Sequence, residues 1–534
     1  MTGGGLTPLV WCDAATVRPP PAALERIVVS DRAGIFAGAV AVEGSTVAVI
    51  TTHEDQLLIG GRWVGARSGK RFDVLDPATG EVVGTVPDGG REDVEAAIDA
   101  AGAALPAWRS TAAIERGRVL RRAADLLRER KGETAAVMTA EQGKPLAEAA
   151  GEIEYAASFF EWFAGEAERV YGQIVPAINP ANRVFVLRQP VGVTAAITPW
   201  NFPAAMMTRK LGPALAAGCT SIVKPASATP LTAALVLRAL EDAGAPPGVV
   251  NLITSRASGM VAETLFADRR VRKVSFTGST EVGKELIRLS AHQVKRLSLE
   301  LGGHAPYVIF NDADLEQSVD GLIASKFRNA GQTCVCANRV FVQRDIYDAF
   351  CELLCVKVRA MSVGPGDRPG VDIGPLINEH AIEHVGEQVR DAVERGARLL
   401  TGGERLVDGE YGRGSFYAPT VVADVTPTML ISREETFGPV AALAPFDTEE
   451  EAVRLANDSL YGLSAYFHTR DYARLIRVAE KLDYGIIGVN SGIISAANVP
   501  FGGVKESGYG REGGHVGIDE YIDVKYVLVA DVNS

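Results

Sequence analysis

The stretch that decides the fold runs from Val191 to Phe310 and opens "VGVTAAITPWNFPAAMMTRKLGPALAAGCTSIVKPAS", Val191 to Ser227. "VGVTAAIT" is a short apolar run that reads as a buried strand, and "AAMMTRKLGPALAAG" reads as a helix ending at glycine. "TSIVK" is the next strand. The beat continues through helix "LTAALVLRALEDAG", strand "VVNLIT", helix "GMVAETLFAD", strand "VRKVSF" and helix "EVGKELIRLSA". Strands separated by crossover helices pair in parallel. The segment therefore predicts a doubly wound α/β sheet of the dinucleotide-binding kind.

Upstream, "REDVEAAIDAAGAAL", "ERGRVLRRAADLLRERK" and "LAEAAGEIEYAASFFEWF" place apolar residues three and four apart, as amphipathic helices do. Residues 1–53, set apart by "GGG" and "RPPPAA", read as an extension without an assignable role. Downstream, a second α/β region runs from about Asp312 to Pro500. A chain of 534 residues accommodates two or three such domains. The net charge of −12 argues against a nonspecific nucleic-acid binder. No run of about 18 apolar residues suggests a membrane span. The uncharged start "MTGGGLTPLV" does not read as a signal peptide. The expected compartment is the cytoplasm, where Cys12, Cys219, Cys334, Cys336, Cys351 and Cys355 stay mostly reduced.

Three segments carry chemistry. In "VSFTGSTEVGKEL" a strand turns into a helix start, where Gly278 permits close approach and Ser279 caps the helix, an arrangement able to hold a phosphate. In "IVKPASATP", Lys224 ends a strand at the ligand-binding edge of the sheet. Ser227 follows where an acid would grip a ribose hydroxyl and repel a 2′-phosphate, and no carboxylate appears until Glu241. The only G-x-G-x-x-G match, "GYGREG", follows no strand and reads as a coincidence.

The third segment is "NAGQTCVCANR", with Cys334 and Cys336 one residue apart. C-x-C without a second pair is too short for ordinary zinc chelation, and "HAIEH" (His380, Glu383, His384) reads as a solvated helix face, so no metal is expected. What remains is a nucleophile, a disulfide, or both. A nucleophilic thiol needs a base or an electropositive site. Glu300 in "LELGG", at a strand end before two glycines, is a candidate base on an equal footing with an ordinary glutamate.

Taken in order, "TPWNFP", "VKPAS", "FTGSTEVG", "LELGG", "GQTC", "EETFGPV" and "PFGGVKESGYGRE" resemble the aldehyde dehydrogenase superfamily over roughly residues 54–530. The finer text is similar to NADP-linked succinate-semialdehyde dehydrogenases. The resemblance implies a cofactor-binding domain (54–170 and 191–302), a catalytic domain (303–502) and oligomerisation strands (171–190 and 515–530). It implies Cys334 as nucleophile, Asn201 with the Cys334 N–H as oxyanion donors, Glu300 as the base that activates water, and Glu512 on the proton path. It places Trp200, Lys224, Ser227, Gly278, Ser279, Glu435 and Phe437 at a dinucleotide, with NADP favoured and NAD allowed. It places Arg209, Arg328 and Ser495 at the carboxylate of a small semialdehyde.

The implied activity is oxidation of succinate semialdehyde, with glutarate semialdehyde or another small aldehyde as the alternative, since Ala496–Val499 are small or neutral. A CoA-acylating enzyme is disfavoured by Glu300, and a silent binding protein by the intact Cys334, Asn201 and Glu300. A homodimer or homotetramer is the implied assembly. Cys336 has no part in the family's reaction. In an extended chain it would stand about 6.6 Å from Cys334 between Cα atoms, which suggests a strained, reversible disulfide as a redox guard.

Overall fold

A computed structural model describes residues 57–532; the extension read at 1–53 lies outside them. The Val191–Phe310 rhythm is realised element by element. Strands Val193–Ile197, Thr220–Lys224, Val250–Leu252, Val271–Thr277 and Arg296–Glu300 alternate with helices Ala205–Ala217, Pro230–Asp242, Ser258–Ala267 and Thr280–Ser290. All five strands pair in parallel. The first lies central, with the next two on one side and the last two on the other. The chain thus reverses direction across the sheet between Val193–Ile197 and Val271–Thr277, the kind of switch point where such sheets open a crevice at their carboxyl ends.

The sheet has antiparallel flanks that periodicity could not show, because they are two or three residues long. The hairpin Leu57–Ile59 and Arg62–Val64 closes one edge, and Gly508–Tyr509 closes the other against Leu299 and Glu300. Gly508 belongs to "GYGREG". A Cβ there would fall 1.9 Å from the Leu299 carbonyl oxygen, so this glycine serves close strand packing rather than a phosphate.

A second sheet orders Arg398–Thr401, Thr420–Ala423, Val440–Phe446, Ala337–Gln343, Ala305–Ile309, Ser464–His468 and Ile486–Val489. Only the first of these pairs antiparallel. In a third sheet Ile522–Val529 lies antiparallel on Arg183–Pro190, which also pairs with Gln173–Val175. Leu187, Val524, Tyr526 and Leu528 remain exposed on these strands. Helix Leu146–Glu166 packs on the wholly buried helix Ala205–Ala217, with Phe159, Phe160 and Phe163 in the largest core cluster. That contact sets the floor of the site.

Candidate active site

Cys334 stands on the loop that leads into strand Ala337–Gln343, and the loop is strained. Asn329, Ala330 and Gly331 have φ of 51°, 54° and 75°. Two left-handed non-glycine residues cost on the order of 1–3 kcal/mol each and persist only where the surroundings hold them. At Gly331 a Cβ would lie 2.1 Å from the Gly438 carbonyl oxygen.

The surroundings do hold them. Gln142 Nε2 donates to Asn329 Oδ1 at 2.9 Å, and Glu148 accepts the Asn329 N–H at 2.8 Å. Gln332 Oε1 accepts the Ile377 N–H at 2.9 Å, and its Nε2 donates to the Asn329 carbonyl at 3.1 Å. Beyond Gln332 the chain turns, the Cys336 N–H donating to the Thr333 carbonyl at 3.1 Å. This corrects the extended geometry expected for Cys334 and Cys336. Both thiols are free, and their surroundings differ. Cys334 lines a cavity, whereas Cys336 is fully buried with Sγ 3.5 Å from the Lys326 carbonyl oxygen. The turn is favoured because it aims one thiol at the cavity while the other fills core.

Asn201 is fixed from both ends. Its Nδ2 donates to the Gln332 carbonyl at 3.0 Å, and its Oδ1 accepts the Phe202 N–H at 3.1 Å. Its own carbonyl accepts from Asn329 Nδ2 at 3.0 Å and from Lys144 Nζ at 2.8 Å. Lys144 also pairs with Glu152 at 2.5 Å, inside the protein, and sits 4.1 Å from the centre of the Phe202 ring. Glu152 in turn accepts the Ala204 and Ala205 N–H groups, at 2.9 and 3.2 Å, at the start of the buried helix. The second Nδ2 hydrogen of Asn201 and the Cys334 N–H have no protein acceptor among the described residues. Sequence reading missed Gln142, Lys144 and Glu152. In "EQGKPLAEAAGE" Gln142 ends one helix, Lys144 lies in the loop that follows and Glu152 lies on the next helix, so no single periodic face marked them together.

Two carboxylates lie behind the thiol in opposite circumstances. Glu300 is buried and neither of its oxygens has a hydrogen-bond partner among the described residues. Burial first, then the field of Glu512, pushes its carboxyl well up; Arg209, Lys210 and Arg511 oppose this. Glu512 is ion-paired to Lys210, accepts from Ser275 Oγ at 3.2 Å, and lies 2.6 Å from Arg209 Nε. Those two cations outweigh its burial and hold it below the usual range. For Cys334 burial dominates, and although Arg209 and Arg328 pull the other way its thiol is pushed up to about 12. The resting sulfur is therefore a thiol that needs an acceptor for its proton.

The cavity in front of Cys334 has a volume of about 310 Å³. Arg209, Arg328 and Ser495 all line it, as the sequence placed them. Arg209 is buried, with its guanidinium 4.0 Å from the centre of the Phe501 ring, yet Nη1 has no partner. Arg328 Nε is likewise buried, and among the described residues neither nitrogen has a hydrogen-bond partner. A larger cavity, about 750 Å³, lies against Phe341 and Leu455. It does not reach Cys334, so the smaller one is the candidate site of chemistry.

At the first sheet, buried Lys224 gives Nζ to Ser258 Oγ at 2.7 Å, and burial lowers its ammonium to about 8. Ser227 lies on the loop just beyond. Glu241, the first carboxylate after it, is engaged by Trp63 Nε1 at 2.7 Å, and Asp88 is held by the Arg256 N–H at 3.0 Å. Ser279 caps helix Thr280–Ser290, accepting the Val282 N–H, and at Gly278 a Cβ would meet the Phe276 ring at 2.3 Å. An ammonium, a hydroxyl and a helix N-terminus fit a phosphorylated dinucleotide ribose. Glu435 accepts the Gly303 N–H at 3.0 Å and is raised to about 8 by burial. Phe437, with φ of 49°, meets Trp200 edge-on at 5.6 Å. In "HAIEH", His380 and Glu383 are exposed and His384 Nε2 faces the Glu435 carbonyl oxygen at 3.0 Å.

Residues 63–527 match the profile described as "Aldehyde dehydrogenase family". Over 474 residues the chain is 52% identical to the NADP(+)-dependent succinate-semialdehyde dehydrogenase GabD of Escherichia coli K12, covering 89% of this chain and 97% of that one. It is 50% identical over 475 residues to a glutarate-semialdehyde dehydrogenase of Pseudomonas putida, with 89% and 98% covered. The crystal structure of an E. coli NADP-dependent enzyme superposes with a TM-score of 0.87 at 51% identity, covering 89% of this chain and 98% of that chain.

Proposed function

The chain belongs to the aldehyde dehydrogenase family, and on that premise we propose that it oxidises succinate semialdehyde to succinate with NADP+. The observation that carries the substrate class is the pair of buried, unpartnered guanidinium nitrogens, Arg209 Nη1 and Arg328 Nε, in the cavity that holds Cys334. Buried donors without partners are costly unless a ligand completes them, and guanidinium matches carboxylate.

Cys334 Sγ attacks the aldehyde carbon after giving up its proton. Glu300, with two free oxygens, is the acceptor within its field. The tetrahedral oxyanion takes the spare Asn201 Nδ2 hydrogen and the Cys334 N–H, both already oriented. NADP+, when bound, supplies the hydride acceptor. Lys224, Ser227, Gly278 and Ser279 would hold its adenosine and phosphates, and Trp200, Glu435 and Phe437 its nicotinamide half. After releasing the thiol's proton to solvent, Glu300 takes a proton from the water that hydrolyses the Cys334 thioester, and Glu512, charged beside it, favours that protonation by opposing a second negative charge there.

Glutarate semialdehyde is the second reading, supported by the small residues Ala496 and Ala497, which follow the cavity-lining Ser495 in the chain, and by the P. putida relative. The same proposal assigns residues 54–170 and 191–302 to cofactor binding, 303–502 to catalysis, and 171–190 with 515–530 to assembly of a dimer or tetramer through their exposed apolar strands. Among the described residues no helix is long and apolar enough to cross a membrane; a cytoplasmic enzyme is the accompanying proposal. The test is a panel of succinate semialdehyde, glutarate semialdehyde and butanal crossed with NADP+ and NAD+, on wild type and Arg328→Ala. The variant's KM should rise roughly tenfold or more for the acid-bearing aldehydes and little for butanal. An equal loss on all three would overturn carboxylate recognition.

A further inference from the structure

We infer that the Tyr155 hydroxyl is a further donor to the substrate's carboxylate, beside Arg209, Arg328 and Ser495, and a determinant of specificity for acid-bearing aldehydes, an inference that rests on the carboxylate reading of the cavity. Tyr155 belongs to helix Leu146–Glu166, which turns Glu148, Gly151, Glu152 and Tyr155 toward the cavity at steps of one helical turn. Its ring is seated on Phe159, with centroids 4.8 Å apart, so the hydroxyl is carried at a fixed depth. That hydroxyl is buried, with Arg209 and Ser495 as its polar neighbours, and meets no partner in hydrogen-bond geometry among the described residues.

Buried phenolic oxygens ordinarily find a partner, and one left open beside two equally open guanidinium nitrogens marks where a ligand oxygen sits. The donors differ in kind. Arg209 and Arg328 attract any anion, whereas an O–H offers one short, directed bond. Burial pushes the phenol up, against the pull of Arg209 and Arg328, so the group keeps its proton and donates it. Of its three neighbours on the cavity face of the helix, Gly151 has no side chain, Glu152 is occupied by Lys144 and the start of the next helix, and Glu148 by Asn329. The carboxylate is therefore held where two charges and one directed donor converge, which fixes its distance from Cys334 as charge alone would not.

The test is Tyr155→Phe, which removes one oxygen and keeps the ring. Steady-state kinetics with NADP+ compare succinate semialdehyde with butanal, and competitive inhibition by succinate reads binding without turnover. Thermal stabilisation by NADP+ reports that the fold is intact. KM for succinate semialdehyde and Ki for succinate should both rise roughly ten- to a hundredfold, with butanal changed by less than about twofold. Unchanged succinate constants, or an equal rise for butanal, would overturn the role of Tyr155. A wild-type enzyme that does not prefer succinate semialdehyde over butanal would instead overturn the substrate class, and the Tyr155 role with it.

Discussion

The loop that carries Cys334 and the cavity in front of it obey opposite rules. On the loop the polar groups are spoken for: Asn329, Gln332 and the Asn201 carbonyl are bound by Gln142, Glu148, Lys144 and Ile377. Around the cavity they are open: Arg209 Nη1, Arg328 Nε and the Tyr155 hydroxyl have no hydrogen-bond partner among the described residues, and neither do the oxygens of Glu300, whose field reaches Cys334. Satisfied groups hold a strained geometry, and unsatisfied groups are where water and substrate bind. The two carboxylates sharpen this. Glu512 is neutralised in place by Lys210 and Arg209 and holds a charge, whereas Glu300 is left bare and can exchange a proton.

Removing an open group should cost most. Glu300→Gln should lower steady-state turnover by roughly a hundredfold or more and slow the first burst of NADPH as well, because both the thiol and the hydrolytic water lose their proton acceptor. Stability should move the other way. A carboxyl whose folded pKa is raised binds its proton more tightly in the native state, so it favours folding at low pH and costs stability as pH climbs past the unfolded value. Glu300→Gln should therefore melt higher than wild type near pH 8 and no higher near pH 4. A melting difference independent of pH would deny that Glu300 is raised.

Loosening a satisfied group should cost less and differently. Lys144→Met removes the clamp on the Asn201 carbonyl but strands Glu152, a buried charge, so it tests folding as much as catalysis. The double variant Lys144→Met with Glu152→Gln carries no stranded charge. It should bind NADP+ normally and lose roughly ten- to a hundredfold in kcat with KM little changed, as for a misplaced oxyanion donor. A wild-type kcat in the double variant would show that Asn201 does not depend on the clamp. The smallest effect is expected at Cys336. Because the turn buries it on Lys326, Cys336→Ala should leave peroxide inactivation as reversible by thiols as in wild type. A loss of reversibility would restore the redox guard.

The alternation after Val191 specified the parallel sheet because buried strands and crossover helices differ in period and length. Motifs in family order specified Cys334, Asn201, Glu300 and the arginines, because their chemistry restricts residue type. Tertiary structure alone decided the rest. The edge strand Gly508–Tyr509 is two residues long and exists only by pairing with Leu299 and Glu300. The left-handed turn at Asn329 and Ala330 runs against local preference and is held by two successive helices more than 160 residues away in sequence, through Gln142 at the end of one and Glu148 at the start of the next. Which thiol faces the cavity, and which carboxylate stays bare, depends on what packs against each side chain. Local sequence fixes period and chemistry; burial and partners are properties of the folded whole.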